Sequence, residues 1–468
     1  MQAIEAGALG VALLVEPSTG RFAGLVTDGD IRRALLQGLG LETLIAAVPR
    51  PASRVARVGM TREEISGMFN EEVRLIPVLD GGDRVCELAM YDRRAHLPVA
   101  QPTLGERELV YVTECILSGW ISSTGRFVTE FEKRCAEFCR VPHAISTSNG
   151  TTALHLALLA LGIGPSDEVI VPTLTFIASA NAVTYTGARP VFVDSEPLSW
   201  NMDPAAVERA ITPRTKAVMA VHLYGHMADM KRLRDICSRH KLFLVEDAAE
   251  AFGATAGGQP AGSLGDIATF SFYGNKIITT GEGGMVLTAD RKLAEHCRLL
   301  RDHGMSPQRR YWHPVLGYNY RMTNLQAAVG VGQMEKIGAI VAAKRRIAAS
   351  YIAALAGIPG LSMPQEPTDT QSVYWLNSIC VDPKVFGADR DAVMSALKER
   401  GIETRPVFPV VHQQPIYAGS HAPMPVAERL SAHGLSLPSD ATLNAGEIQR
   451  VADALQRIHR PAGGASRH

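Results

Sequence analysis

Three short stretches of this 468-residue chain carry residue types suited to chemistry. In "SFYGNKIITTGEGGM" (271–285) one lysine, Lys276, stands among aromatic residues, hydroxyls and glycines, where a buried charge is expensive. A lysine in a dry, hydroxyl-rich pocket has a lowered pKa and attacks a carbonyl to form a Schiff base. The alternative is a surface lysine in a turn. Ser271, at the end of the same strand, is placed to donate to a phosphate. In "LFLVEDAAEAFGA" (242–254), Asp247 follows apolar Leu244 and Val245. Its carboxylate is then partly desolvated and needs a cationic partner, unless it only caps the segment that follows. In "ISTSNGTTALHLAL" (145–158), Gly150, Thr151 and Thr152 open a helix. Free backbone N–H groups there make either a phosphate cradle or an ordinary start capped by Asn149 or Thr151.

These residues act together only if strands and helices converge them. Apolar runs "HAISTS", "EVIVP", "RPVFVD", "AVMAVHLYG", "LFLVEDA", "ATFSFYG" and "GGMVLTA" read as strands, and most are separated by helical stretches such as "MKRLRDICSRHK". Such alternation predicts an α/β fold with a mostly parallel sheet wrapped by helices, over residues 98–345. Asp247 then falls at the C-terminal edge of its strand, where open α/β sheets hold ligands. A smaller α/β portion follows at 346–460, opened by the helix "AAKRRIAASYIAALAG", and a disordered tail is expected at 461–468. Residues 1–93 stand apart. "GVALLVEPSTGRFAGLVTDGDIRRALLQGLG" reads as strand, turn, strand, helix, and "MTREEISGMFNEEVRLIPVLDGGDRVCELAMYD" as helix, strand, turn, strand. Two αββ units of one rhythm are an internal repeat, the first with its opening helix truncated at Met1.

A phosphate-binding turn, a carboxylate on a strand end, then a serine and a lysine form the set that pyridoxal 5′-phosphate (PLP) requires. It anchors the phosphate, keeps the ring nitrogen protonated and offers an amine to the aldehyde. Residues 98 to 460 resemble the DegT/DnrJ/EryC1/StrS sugar aminotransferases, which are PLP enzymes of fold type I with a seven-stranded sheet and a small C-terminal domain. The carrying motifs run in order: "GWISSTGRFVTEFE", "SNGTTALHLAL", "VPTLTFIASANAV", "FVDSEPLSWNMDP", "VHLYGHMADM", "VEDAAEAFGA", "SFYGNKIITTGEGGM", "RDHG", "GYNYRMTNLQAAVG" and "TRPVFPVVHQQPIY". The lysine and "GYNYRM" segments are most similar to members that aminate C4 of GDP-4-keto-6-deoxy-mannose with glutamate as donor.

That resemblance implies roles. Lys276 is the Schiff-base lysine and proton shuttle, Asp247 pairs with the pyridine nitrogen, and Glu250 lies near the ring hydroxyl. Gly150, Thr151 and Ser271 hold the phosphate. Phe176 stacks on the ring, or packs in the core. Asn319 reaches the phosphate of a neighbouring subunit's cofactor, which implies a homodimer or higher oligomer with shared active sites. Tyr320, Arg321, His303 and Arg405 are candidate substrate contacts, with an interface ion pair the alternative for Arg321. His222, Glu282 and His412 are further lining residues without assigned roles. Family members with histidine in place of the lysine dehydrate their sugar; Lys276 implies transamination. A UDP- or dTDP-linked keto sugar, aminated at C3 or C4, keeps the same catalytic residues. A regulator built on a PLP-fold scaffold is the reading from another class.

The N-terminal repeat resembles a pair of CBS motifs, modules that dimerise and bind adenine nucleotides. Thr27 and Asp30 in "VTDGDIRRAL" match the ribose-holding pair, and Asp30 caps its helix on the plainer reading. Basic and acidic residues balance at 47 each, so no long-range field draws the chain to nucleic acid or an anionic membrane. "GALGVALLVEP" is too short to span a bilayer, and the N-terminus has no signal-peptide pattern. Seven scattered cysteines, with only Cys135 and Cys139 at helical spacing, give no metal site and suggest reduced thiols in a cytoplasmic protein.

Overall fold

A computed structural model describes residues 11–40, 42–50, 52–69, 73, 75–90 and 96–459. The disordered tail expected at 461–468 and the truncated opening helix expected at the start of the chain lie outside these residues. The chain divides into two compact units, Met1–Leu97 with Lys398–Ile402, and Pro98–Leu397 with Glu403–His468.

In the first unit, β1 (Val11–Val15) pairs antiparallel with β2 (Phe22–Thr27), and the helix Asp28–Leu36 follows directly. A second group has β3 (Ala56–Arg57) parallel to β4 (Leu75–Leu79), which pairs antiparallel with β5 (Val85–Met90). The β4–β5 turn is fixed by Asp80, whose Oδ1 accepts from the N–H groups of Gly82 and Arg84 at 2.8 and 2.9 Å. Thr27 and Asp30 form a capping box. The Thr27 hydroxyl oxygen accepts from the Asp30 N–H at 3.1 Å, and Asp30 Oδ2 accepts from the Thr27 N–H at 2.9 Å. Asp30 also binds Arg33. Both residues thus start this helix.

The second unit is built on seven strands: β6 (His143–Thr147), β7 (Glu168–Pro172), β8 (Arg189–Val193), β9 (Thr215–Val221), β10 (Phe243–Asp247), β13 (Ile267–Ser271) and β14 (Gly284–Thr288). Short strands β11 (Thr255–Ala256) and β12 (Gln259–Pro260) intervene and pair with β16 (Thr370–Gln371). The sheet order is β6-β14-β13-β10-β9-β7-β8, with β14 alone antiparallel to its neighbours. Alternate residues serve two cores. Val169, Val171, Met219 and Val245 face one; Ile170, Val218, Leu244 and Ala268 face the other. Both faces are covered, so the strands read as continuous apolar runs instead of alternating ones. A second sheet, β15 (Leu361–Ser362), β17 (Asn377–Val381), β19 (Gly434–Leu437) and β18 (Arg405–Pro406), is antiparallel throughout, in the order β15-β17-β19-β18. The helix preceding it runs Ile337–Leu355, starting earlier than its sequence pattern suggested. Among the described residues no helix is long and apolar enough to cross a membrane, and no cluster of His, Cys, Asp and Glu could hold a metal ion.

Candidate active site

The ends of β6, β10 and β13 bring the candidate residues to one edge of the large sheet. Ser271 pairs with Gly284 across β13 and β14, and Gly284 pairs with Thr147 across β14 and β6. That register sets Ser271 beside the turn after β6. Asn149 caps the Gly150–Ala160 helix, accepting from the Thr152 N–H at 2.9 Å. Capping is thus Asn149's task, and the first helical N–H groups, Gly150 and Thr151, stay at the half-exposed helix tip. A Cβ on Gly150 would lie 2.7 Å from Ser271 Cβ and 3.1 Å from its hydroxyl oxygen. Only glycine lets the helix tip and the serine approach so closely, which is the shape of an anion cradle.

Asp247 ends β10 with only 5% of its surface exposed. The Ser179 hydroxyl donates to its Oδ2 at 2.7 Å, and the Ala249 N–H to its Oδ1 at 3.2 Å. Thr175 shares a hydrogen bond with Ser179 at 3.0 Å. No basic side chain among the described residues forms an ion pair with Asp247, and burial pushes its carboxyl above the usual carboxylate range. Two donors on one carboxylate hold it ready for a cationic N–H.

Lys276 lies in the turn after β13 with its side chain 12% exposed. Its ammonium reaches Glu250 Oε1 at 3.5 Å and stands 3.6 Å from the centroid of the Trp375 ring. The other Glu250 oxygen accepts from the Tyr224 N–H at 2.7 Å. Tyr224 itself holds a left-handed backbone, φ 52°. Burial pushes Lys276 below the ordinary lysine range, while Glu250 and then Asp247 pull it back up. Burial likewise raises Glu250, against the lowering effect of Lys276. Two buried carboxylates and one amine leave negative charge unbalanced. A protonated pyridine nitrogen on Asp247 would balance it, and the cradle at Gly150 would take a phosphate. The residues present fit PLP.

The other candidates scatter more widely. Phe176, past the end of β7, is 56% exposed with its ring 5.8 Å from that of Phe408, so it is not a core residue. Arg321 pairs with Asp302 of its own chain at 2.9 Å, donates to Asn319 Oδ1 at 3.0 Å and lies 3.4 Å from His303 Nε2. Tyr320 turns inward, its hydroxyl 2.9 Å from His155 Nδ1. Arg405 lies on β18 near Glu403, at 3.6 Å. His222 is buried against Glu246 at 3.0 Å, and His412 bridges Thr173 and Glu428. Sequence reasoning missed Ser179, Tyr224 and Trp375. "VYWLNSICV" did offer an aromatic pair beside a strand, but nothing local linked it to Lys276.

The DegT/DnrJ/EryC1/StrS aminotransferase family model matches residues 102–456. The chain belongs to that family. The aminotransferase is 50% identical to the GDP-perosamine synthase of Caulobacter vibrioides over 364 residues, 77% of this chain and 98% of that enzyme. It is 45% identical to the GDP-perosamine synthase of Escherichia coli O157:H7, covering 78% and 99% of the two chains. Among solved structures it is similar to S. venezuelae DesV in complex with a ketimine intermediate, with TM-score 0.71, 40% identity and coverage of 75% and 94%. The protein is thus a PLP-dependent sugar aminotransferase.

Proposed function

We propose that this aminotransferase moves the amino group of glutamate to C4 of GDP-4-keto-6-deoxy-mannose, yielding GDP-perosamine. The acceptor follows from likeness over nearly the whole length of two GDP-perosamine synthases. The observation that carries the chemistry is the buried meeting of Lys276 and Glu250 beside Asp247 at one sheet edge.

In this reading Asp247, oriented by Ser179, holds the cofactor's ring nitrogen protonated. Gly150, Thr151 and Ser271 hold the phosphate, Phe176 covers a ring face, and Glu250 faces the ring hydroxyl. Bound PLP supplies the aldehyde that carries the amino group and the conjugated ring that withdraws electrons. Lys276 does the proton work. Burial lowers the cost of its neutral form, and in this reading Nζ takes the proton from the Cα of the donor amino acid and later delivers one to C4 of the sugar. A ping-pong cycle follows, because donor and acceptor use the same amine and the same pocket in turn.

The working unit is a homodimer in this reading, with Asn319, Arg321 and His303 facing a second copy's site. Exposed apolar side chains on the helix Glu106–Ser118 and just after it, including Leu117 at 83% and Trp120 at 58%, support a covered face. The helix, strand, strand order from Arg62 to Met90 supports a CBS-like pair, in which an adenine nucleotide would compete with the capping box for Thr27 and Asp30. Seven free cysteines, six of them buried, suit a reducing compartment such as the cytoplasm.

An activity panel tests the acceptor: purified protein, PLP, glutamate, and GDP-, UDP- and dTDP-linked 4-keto-6-deoxy sugars. The GDP sugar is expected to be aminated at C4 with release of 2-oxoglutarate. Faster turnover of a UDP or dTDP sugar would overturn the assignment. Failure of glutamate to convert the cofactor to its amine form would favour a non-catalytic scaffold.

A further inference from the structure

We propose that Trp375 is a positioning residue for the uncommitted Lys276 amine: its indole face and Glu250 form a seat that holds Nζ, and Lys344 fixes that seat through the Trp375 backbone. The proposal rests on Lys276 being the reactive amine, as read above.

The seat is tied from several sides. The Trp375 indole N–H donates to the carbonyl of Asn275, the residue before Lys276, at 2.6 Å. Its ring stacks on Tyr224 at 6.1 Å and 22°, and Tyr224 stacks on Phe408 at 5.3 Å and 24°. The Tyr224 N–H orients the Glu250 carboxylate. One aromatic stack therefore sets both walls that touch the amine.

Lys344 is the anchor behind it. It is buried on the Ile337–Leu355 helix, and its ammonium donates to the carbonyls of Trp375, at 3.0 Å, and Ser439. Burial brings it down to about 8, against the pull of Asp440. A buried ammonium bonded to two main-chain carbonyls is costly unless the segments it joins must stay in register. Here it joins the Trp375 segment to the one after β19. Lys276 and Lys344 line the same small cavity. The charged groups facing Lys276 are then Glu250 and Asp247, with Lys344 beyond the tryptophan segment.

During the cycle the lysine leaves its covalent bond and has to return to it. An amine free to swing would lose the geometry that proton transfer demands. The tryptophan face and the carboxylate both favour the ammonium form, which donates to Glu250 Oε1.

The test follows the Lys276 amine in the full-length, cofactor-free protein. Trace acetylation with acetic anhydride across pH, read by peptide mass spectrometry, gives its apparent pKa. Trp375→Leu is expected to lower that pKa by about one unit, so that labelling below it rises about tenfold. Trp375→Phe recovers part of the loss. Fluorinated tryptophans at position 375 keep the ring's shape while weakening its face. They are expected to lower the pKa stepwise, and they serve if Trp375→Leu does not fold. In a Lys344→Met background the fluorination series is expected to flatten, because the ring is no longer held over the amine. A Lys276 pKa unmoved by Trp375→Leu and by fluorination overturns the seat; an unchanged series in Lys344→Met overturns the anchor. If borohydride reduction of the wild-type holoenzyme labels another residue, the reading of Lys276 fails instead.

Discussion

A methyl group on Gly150 sets two effects of opposite sign against each other. Glycine to alanine in a helix stabilises by up to about 1 kcal/mol, because glycine loses the most backbone freedom on folding. At this helix tip the new Cβ would meet Ser271 Cβ at 2.7 Å, its Oγ at 3.1 Å and its Cα at 3.3 Å. Ser271 has little room to retreat, because it is held in register with Gly284, itself packed on Asn149. Overpacking of this kind costs about 1–3 kcal/mol, so the clash outweighs the gain. The displaced atoms are the proposed phosphate donors. A net loss of about 1–2 kcal/mol there corresponds to PLP affinity weakened about 5- to 30-fold. Titrating cofactor-free Gly150→Ala with PLP, by quenching of tryptophan fluorescence, measures it. Gly338→Ala is the control: its Cβ meets nothing within 4 Å in the Ile337–Leu355 helix, so affinity should hold and stability rise slightly. Wild-type affinity in Gly150→Ala would refute the assignment of the phosphate to this turn.

Three further outcomes are expected. Lys276→Ala abolishes transamination from glutamate and leaves PLP removable by gel filtration after borohydride treatment, which mass spectrometry of the intact chain checks. Ser179→Ala removes a hydrogen bond to the buried Asp247 carboxylate, a loss of about 1.5–3 kcal/mol, and weakens PLP binding about 10- to 150-fold in equilibrium titration. His226, buried against the Tyr374 ring, is pushed by burial from 6.5 down to about 4. The unfolded chain therefore takes up that proton first, and the stability His226 contributes above pH 6.5 is lost as pH falls towards 4, about 3 kcal/mol in all. Histidine C2 hydrogen exchange, read by mass spectrometry, should show the depressed titration at His226.

The seven central strands were legible because each is buried on both faces, and an apolar run such as "EVIVP" leaves one reading once turn residues bound it. Their order was not, since nothing within β14 says that it runs antiparallel between β6 and β13. The site divides along the same line. Asp247, Lys276, Ser271 and Gly150 sit at element ends, where their order and spacing together, not any one alone, pointed to a site. Ser179 and Trp375 do not. Ser179 looks like any small helical residue until 68 positions of chain fold back to put its hydroxyl on Asp247. Trp375 looks like strand-flanking core until its N–H meets Asn275, 100 positions away. Arg321 drew attention by its charge, but nothing local showed that it pairs with Asp302 in the same chain. Local sequence marks groups that must be near a ligand. It is silent about the groups that hold them still, because orienting a carboxylate or seating an amine requires only a hydroxyl or a ring, types that every core contains. Acceptor choice belongs to that silent part, since it depends on the shape of a pocket and not on which groups react. The nucleotide sugar panel, more than any catalytic knockout, therefore separates this enzyme's task from that of its relatives.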